Sequence, residues 1–153
     1  MRDVTIRTAA AAERQQLEAL QRRASLANPG DRDALLANPD AIELPQDQLE
    51  SGHVFVAEMA GSPAGFAALV FRSDGDAELD ALFVEPDMWR QGLGAALIEH
   101  CAEVARAAGS CVLNVVGNPH AEGFYAAVGF DVVGIVPTRF GPGLLMRKSL
   151  SAG

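Results

Sequence analysis

Hydrophobic and polar positions alternate over Val4–Thr8, then change to a helical rhythm in which Leu17 and Leu20 share one face of a stretch rich in Ala, Gln, Glu and Arg. The first pattern predicts a short strand, the second a helix over Ala11–Ala24. Asn28-Pro29-Gly30 reads as the break after that helix. Asp31 or Asp33 then stands where a short helix through Leu36 would be capped, and Asn38-Pro39 stops it. Leu44-Pro45 opens another short helix, ending near Ser51-Gly52.

The second half is richer in strands. His53–Met59 and Ala64–Arg72 are two apolar runs joined by Ala-Gly-Ser-Pro, the pattern of a hairpin. After the Ser73–Asp76 turn, Ala77–Val84 forms the next strand. Gly92–Ala108 is the strongest helix, with Leu93, Leu97, Ile98, Cys101 and Val104 at helical spacing and Gly109 at its end. Cys111–Val116 is nearly all apolar and reads as a strand buried on both faces. A helix over Ala121–Val128, closed by Gly129, precedes two strands, Asp131–Val136 and Leu144–Arg147, around Gly141-Pro-Gly143. No repeat, linker or low-complexity tract interrupts this order. The expectation is a single domain over residues 1–153, of α/β (α+β layered) class, with strands and helices interleaved.

Composition narrows the partners. The net charge is −8 and the 12 basic residues form no dense run, which argues against nucleic acid. No apolar run approaches the ~20 residues of a membrane-spanning helix. The start, Met1-Arg-Asp-Val-Thr-Ile6, has no secretory apolar core. Cys101 and Cys111 have no CxxC spacing and read as reduced core or helix-face residues. His53, His100 and His120 have no ligand partners at metal spacing, so no metal is expected. A cytoplasmic protein without membrane attachment is the resulting expectation.

Chemistry concentrates between Glu78 and Leu97. An apolar strand there runs through a short turn into a helix opened by Gly92-Leu93-Gly94. Glycines at a helix start let a phosphate approach the main chain, and the first N–H groups of the helix favour anions. The other reading is a glycine-punctuated helix start that serves packing alone. A dinucleotide fingerprint fails because Leu97 stands where its third glycine belongs, and a P-loop fails because no Lys-Ser/Thr follows. On the strand, Glu78 and Asp80 share one face, with Leu79, Ala81 and Phe83 on the opposite, core-facing side. Two carboxylates on a covered face would raise each other's pKa and suit general-base work, whereas at an open strand end they would be a solvated pair.

Two motifs together resemble the GNAT superfamily of N-acetyltransferases. Leu82-Phe-Val-Glu-Pro-Asp-Met-Trp-Arg-Gln-Gly-Leu-Gly94 is similar to its acetyl-CoA motif, Gln/Arg-x-x-Gly-x-Gly/Ala after the fourth strand. Asn118-Pro-His-Ala-Glu-Gly-Phe-Tyr-Ala-Ala-Val-Gly-Phe130 resembles the second motif, and Leu145–Leu150 the closing strand. Trp89 departs from the pattern, standing where the leading Gln/Arg belongs. The resemblance implies a mixed, mostly antiparallel sheet of about seven strands flanked by helices, with acetyl-CoA as cosubstrate.

It also implies roles. Main-chain groups of Phe83 and Val84 would pair the pantetheine arm, with a main-chain N–H near Val84 polarising the thioester carbonyl. Gln91, Gly92, Leu93, Gly94 and Ala95 would hold the pyrophosphate through main-chain N–H groups, with Arg90 supplying the cation. Tyr125 would protonate the departing thiolate; its alternative is a packed ring. A phenol has a reference pKa of about 10 and a thiol about 8.5, so the acid help needed is small. Glu78 lies eleven positions before Trp89, the separation at which GNAT histone acetyltransferases carry their base, and Asp80 is the other candidate. Asn118 either bonds coenzyme or substrate or shapes the turn before Pro119.

The implied reaction is direct acetyl transfer to an amine of a small molecule or peptide, in a ternary complex. The acceptor pocket would draw on Ser25–Ser51, Trp89 and Thr138–Pro142. Acidity favours a cationic acceptor, while Arg139 would suit a carboxylate. A non-catalytic acyl-CoA-binding or regulatory module is the alternative. Homodimerisation through the late strands is an expectation from analogy.

Overall fold

The structure, a computed structural model, describes residues 4–38, 42, 44–89, 91–138 and 141–150. Seven strands follow the chain as β1 (Val4–Thr8), β2 (Val54–Met59), β3 (Ser62–Phe71), β4 (Ala77–Val84), β5 (Val112–Gly117), β6 (Asp131–Thr138) and β7 (Gly141–Ser149). The helices are α1 (Arg14–Ala27), α2 (Pro29–Ala37), α3 (Gln46–Glu50), α4 (Leu93–Ala107) and α5 (Glu122–Ala127). Hydrogen bonding orders the strands β1-β2-β3-β4-β5-β7-β6. The β4–β5 pair is parallel, while β1–β2, β2–β3, β5–β7 and β6–β7 are antiparallel. This is the mixed, mostly antiparallel α/β sheet expected from the sequence.

Two compact units divide the chain, Met1–Ala68 with Ala81–Ile98, and Leu69–Asp80 with Glu99–Gly153. In the first, α1 buries Leu17, Leu20 and Ala24 at helical spacing, beside Leu44, Leu49, Val54, Val56 and Phe66. Ala81 and Phe83 of β4 pack against this core. The Arg7 guanidinium bonds Glu13 at 2.8 and 2.7 Å and Glu58 at 2.8 Å, and Glu13 also accepts the Ala10 N–H at 2.9 Å. That network fixes the entry to α1, which a 3-10 turn (Ala11–Glu13) precedes. Arg14 Nε donates to the Leu44 carbonyl at 2.7 Å, and Glu18 accepts the Leu44 N–H at 2.8 Å, so α1 holds Leu44 by both main-chain groups.

In the second unit Ala77, Leu79, Leu113, Val115 and Met146 are buried on alternate rungs, together with Cys101, Ala102 and Ala105 of α4. Asn114, beside Glu78 in register, is a buried polar residue whose Nδ2 donates to the Ala77 carbonyl at 3.2 Å.

Several boundaries differ from the sequence reading. Asn28 does end α1, but Pro29-Gly30 begin α2 instead of forming a loop, because proline's fixed φ and missing N–H suit the first helical position. Asp31 and Asp33 consequently lie inside the helix. The α4 stripe runs through Ala102 and Ala105, and Val104 is only half-buried. The strand expected to be covered on both faces is open at Val116, which lies one residue past the last β4–β5 rung and is 43% exposed.

Candidate active site

The end of β4 leads through a 3-10 turn, Pro86–Met88, and past Gly92 into the start of α4, within the first unit as far as Ile98. The Glu85 N–H donates to the Ala64 carbonyl of β3 at 2.8 Å. A Cβ built on Gly65 would stand 2.9 Å from the Phe83 carbonyl oxygen. The main-chain groups of Phe83 and Glu85 therefore face β3. Since backbone direction alternates along a strand, those of Leu82 and Val84 face the other edge. On that edge the β5 pairing covers only Ala77–Leu79. Beyond it, among the described residues, the Val84 carbonyl accepts a hydrogen bond from Trp89 Nε1 at 2.9 Å.

Gly92 has φ +84°, a left-handed conformation that disfavours side chains, and a Cβ added there would meet nothing within 4 Å. The Ala96 N–H donates to the Gly92 carbonyl at 3.0 Å. Leu93, Gly94 and Ala95 thus form the first turn, where a helix has no internal acceptors for its N–H groups. The helix dipole makes the same place attractive to anions. Leu93 is 1% exposed, so its side chain belongs to the core and only its main chain is available to a ligand. Gln91 is exposed, its Nε2 directed to Met88 Sδ at 3.9 Å. Phe83 places its ring 5.7 Å from that of Phe66, and its main chain is turned to β3, so on this stretch of β4 it is Val84 whose main chain faces the other edge. Arg90, expected to supply the cation, lies outside the described residues, as do Arg139 and Phe140 of the expected acceptor pocket.

One feature of this unit was not read from the sequence. Arg23 of α1 grips Glu85 through Nε at 2.9 Å and NH2 at 2.6 Å, which holds the turn after β4 against α1. The pair keeps the Arg23 guanidinium above its ordinary pKa, first through the hydrogen bonds to Glu85. Beside it is a cavity of about 390 Å³ lined by Arg23, Met59, Pro63, Glu85, Asp87 and Met88. No local pattern announces a contact between residues 62 positions apart.

In the second unit, Glu78 is half-buried and Asp80 exposed, on the face opposite buried Ala77 and Leu79. The shared face was expected, and at Asp80 it is open to solvent. Tyr125 is 8% exposed. Its ring packs edge-on against Phe124 at 5.2 Å and Phe130 at 5.4 Å. A Cβ on Gly117 would approach that ring to 3.1 Å, so the glycine at the end of β5 makes room for the tyrosine. Asn118 Oδ1 accepts the His120 N–H at 2.9 Å, which gives this oxygen the turn-shaping role. His120 is exposed. Burial in α4 lowers the His100 pKa and pushes the Cys101 thiol up to about 12, so Cys101 is a poor nucleophile. Cys111 is exposed, and neither cysteine is in a disulfide. Among the described residues no group of three or more His, Cys, Asp or Glu side chains is placed to hold a metal ion. Among them, too, no helix is long and apolar enough to cross a membrane.

Comparison with known proteins decides what this arrangement is. A sequence model of the Acetyltransferase (GNAT) family matches residues 17–130. The chain belongs to the GNAT family. The match takes in α1 from Leu17 onward, together with the β4–α4 segment and the Asn118–Phe130 stretch with α5, which carry the two motifs. A curated relative, the peptidyl-lysine N-acetyltransferase YjaB of Salmonella typhimurium, is 36% identical over 93 residues. That stretch covers 60% of this chain and 59% of the relative, so the chain spans about three-fifths of the length of the protein it matches. Among solved structures, the PaiA N-acetyltransferase of Thermoplasma acidophilum, in complex with coenzyme A, superposes with a TM-score of 0.75 at 17% identity, over 96% of this chain and 99% of that one. YncA of Salmonella typhimurium, solved with its cofactor acetyl-CoA, gives 0.70 at 22% identity, over 99% and 96%. These two share the GNAT fold with this chain.

Proposed function

We propose that residues 1–153 form one acetyltransferase domain that moves an acetyl group from acetyl-CoA to a primary amine by direct attack in a ternary complex. The observation that carries this reading is the β4–Gly92–α4 segment. It combines a strand whose pairing with β5 ends at Leu79 with a left-handed glycine that leaves open space at a helix start. A thioester arm bearing amides matches the first feature and a diphosphate the second. The family membership and the coenzyme-bearing fold relatives support the same ligand.

Acetyl-CoA supplies an activated acyl group whose leaving thiolate is already fairly stable. The chain's own residues supply the rest in this proposal. Main-chain N–H groups of Gly92–Ala95, with Arg90 and Gln91, hold the diphosphate, and the main chain of Val84, which faces the edge away from β3, holds the arm and polarises the carbonyl, while Phe83 fixes this end of β4 against β3. Glu78 takes the proton of the arriving ammonium, directly or through water, with Asp80 as the alternative. As the C–S bond breaks, Tyr125 donates a proton to the departing sulfur and frees coenzyme A; the second proton that the nitrogen loses as the amide forms restores the phenol, and Glu78 returns its proton to solvent. Asn118, whose Oδ1 also accepts the His120 N–H, bonds coenzyme or substrate through its side-chain amide.

The acceptor is proposed to be cationic, a small amine or a lysine-bearing peptide. The curated relative's name specifies peptidyl-lysine, the net charge here is −8, and Glu85 and Asp87 line the first unit's cavity. Residence in the cytoplasm and self-association through β6, with no nucleic acid, membrane or metal, complete the proposal. Incubating the protein with acetyl-CoA and a panel of amines, lysine peptides included, and following thiol release tests it. Amine-dependent release that falls in Glu78→Gln supports transfer. Binding without release for any amine would favour a regulatory acyl-CoA module instead.

A further inference from the structure

Val84 is the last residue of β4, and its main chain faces the edge where the β5 pairing has ended. An extended, amide-bearing ligand laid along a strand edge needs both groups of such a residue, its N–H as donor and its C=O as acceptor. The Val84 carbonyl is already engaged by the indole Nε1 of Trp89 at 2.9 Å. Trp89 is 41% exposed, while its own N–H is bonded to the Pro86 carbonyl at 3.3 Å, so the side chain can leave without disturbing the turn. Indole is a donor only, and it fills the place that a ligand amide N–H would take.

We propose that Trp89 is a removable stopper on the acyl-CoA edge of β4. Its indole N–H satisfies the Val84 carbonyl in the free protein, and an amide of the incoming pantetheine-type arm displaces it. The proposal rests on the acetyl-CoA reading above and adds a gating residue to it. It also gives a use to the tryptophan that stands where the motif has Gln or Arg.

Because Trp89 is the only tryptophan of the chain, its emission reports this exchange directly. The test titrates the full chain with acetyl-CoA, following tryptophan emission and calorimetric heat in parallel, and repeats the calorimetry on Trp89→Phe, which keeps a ring but removes the donor. The expected result is an emission change that saturates with the heat, and about two- to ten-fold tighter binding by Trp89→Phe, the size of one net hydrogen bond no longer broken. Saturable heat with unchanged emission, or equal or weaker binding by Trp89→Phe, overturns the stopper while leaving the acetyl-CoA reading intact. No heat at all overturns both.

Discussion

At the scale of single residues, the chemistry rests on side chains that the structure treats very differently. Tyr125 is buried between two aromatic rings with Gly117 behind it, a setting that fixes its orientation. Tyr125→Phe keeps the packing and removes the proton. The turnover rate is predicted to fall by roughly 10- to 100-fold with acetyl-CoA affinity unchanged. Steady-state kinetics alongside calorimetry check this, and an unchanged rate would return Tyr125 to a packing role. The motif residues from Leu82 to Gly94 and from Asn118 to Phe130 were legible in the sequence because a main-chain binding loop needs glycines at fixed positions. The partners Arg23–Glu85 and Asn114–Ala77 were not, since residues 62 and 37 positions apart meet only through the fold. Trp89–Val84 is local, but no periodicity encodes which way an indole turns.

At the scale of elements, β4 was readable to its ends because apolar and acidic positions alternate from Ala77 to Ala81 and an apolar run, Leu82–Val84, completes the strand. The α1–α2 junction was misjudged because Pro-Gly signals a loop and a helix start equally well, and tertiary anchoring decides between them. The close approach of β3 to β4 is also tertiary. A Cβ on Gly65 would press on the Phe83 carbonyl at 2.9 Å, backbone that cannot rotate aside. Gly65→Ala is therefore predicted to destabilise the protein by about 1–3 kcal/mol, read from chemical denaturation. Stability equal to wild type would contradict the close packing of these strands. The entry to α1 carries a pH dependence. Hydrogen bonding to Arg7 holds the Glu13 carboxyl below its ordinary range, so its contribution is complete above the unfolded value of about 4.3 and is lost as pH falls below it. Arg7 is 34% exposed, which limits the effect to about 1 kcal/mol. Glu13→Gln should lose less stability than wild type between pH values of about 5 and 3, as measured by thermal melts.

At the scale of the whole molecule, the strand order ends at β6, whose Val132, Val133 and Ile135 are 43%, 53% and 72% exposed. An uncovered apolar edge strand is a template for pairing with another chain. The proposed homodimer would use it, and Ile135→Lys should then convert a dimer to a monomer in light scattering. A monomeric wild type, or a dimer that survives the lysine, would contradict that assembly. The family and the class of fold were legible before the structure, and so was the course of the chain from β4 through Gly92 into α4. The acceptor was not, because loops that choose an amine follow no general spacing rule.

The central claim is that the Gly92 opening of α4 receives the diphosphate of acetyl-CoA. Calorimetric titration of acetyl-CoA into wild type and Gly92→Glu tests it most directly, with circular dichroism to confirm that the variant folds. The account predicts saturable binding by the wild type and none by the folded variant, whose carboxylate would occupy the space now open and repel the phosphates. Equal binding by both proteins would contradict it.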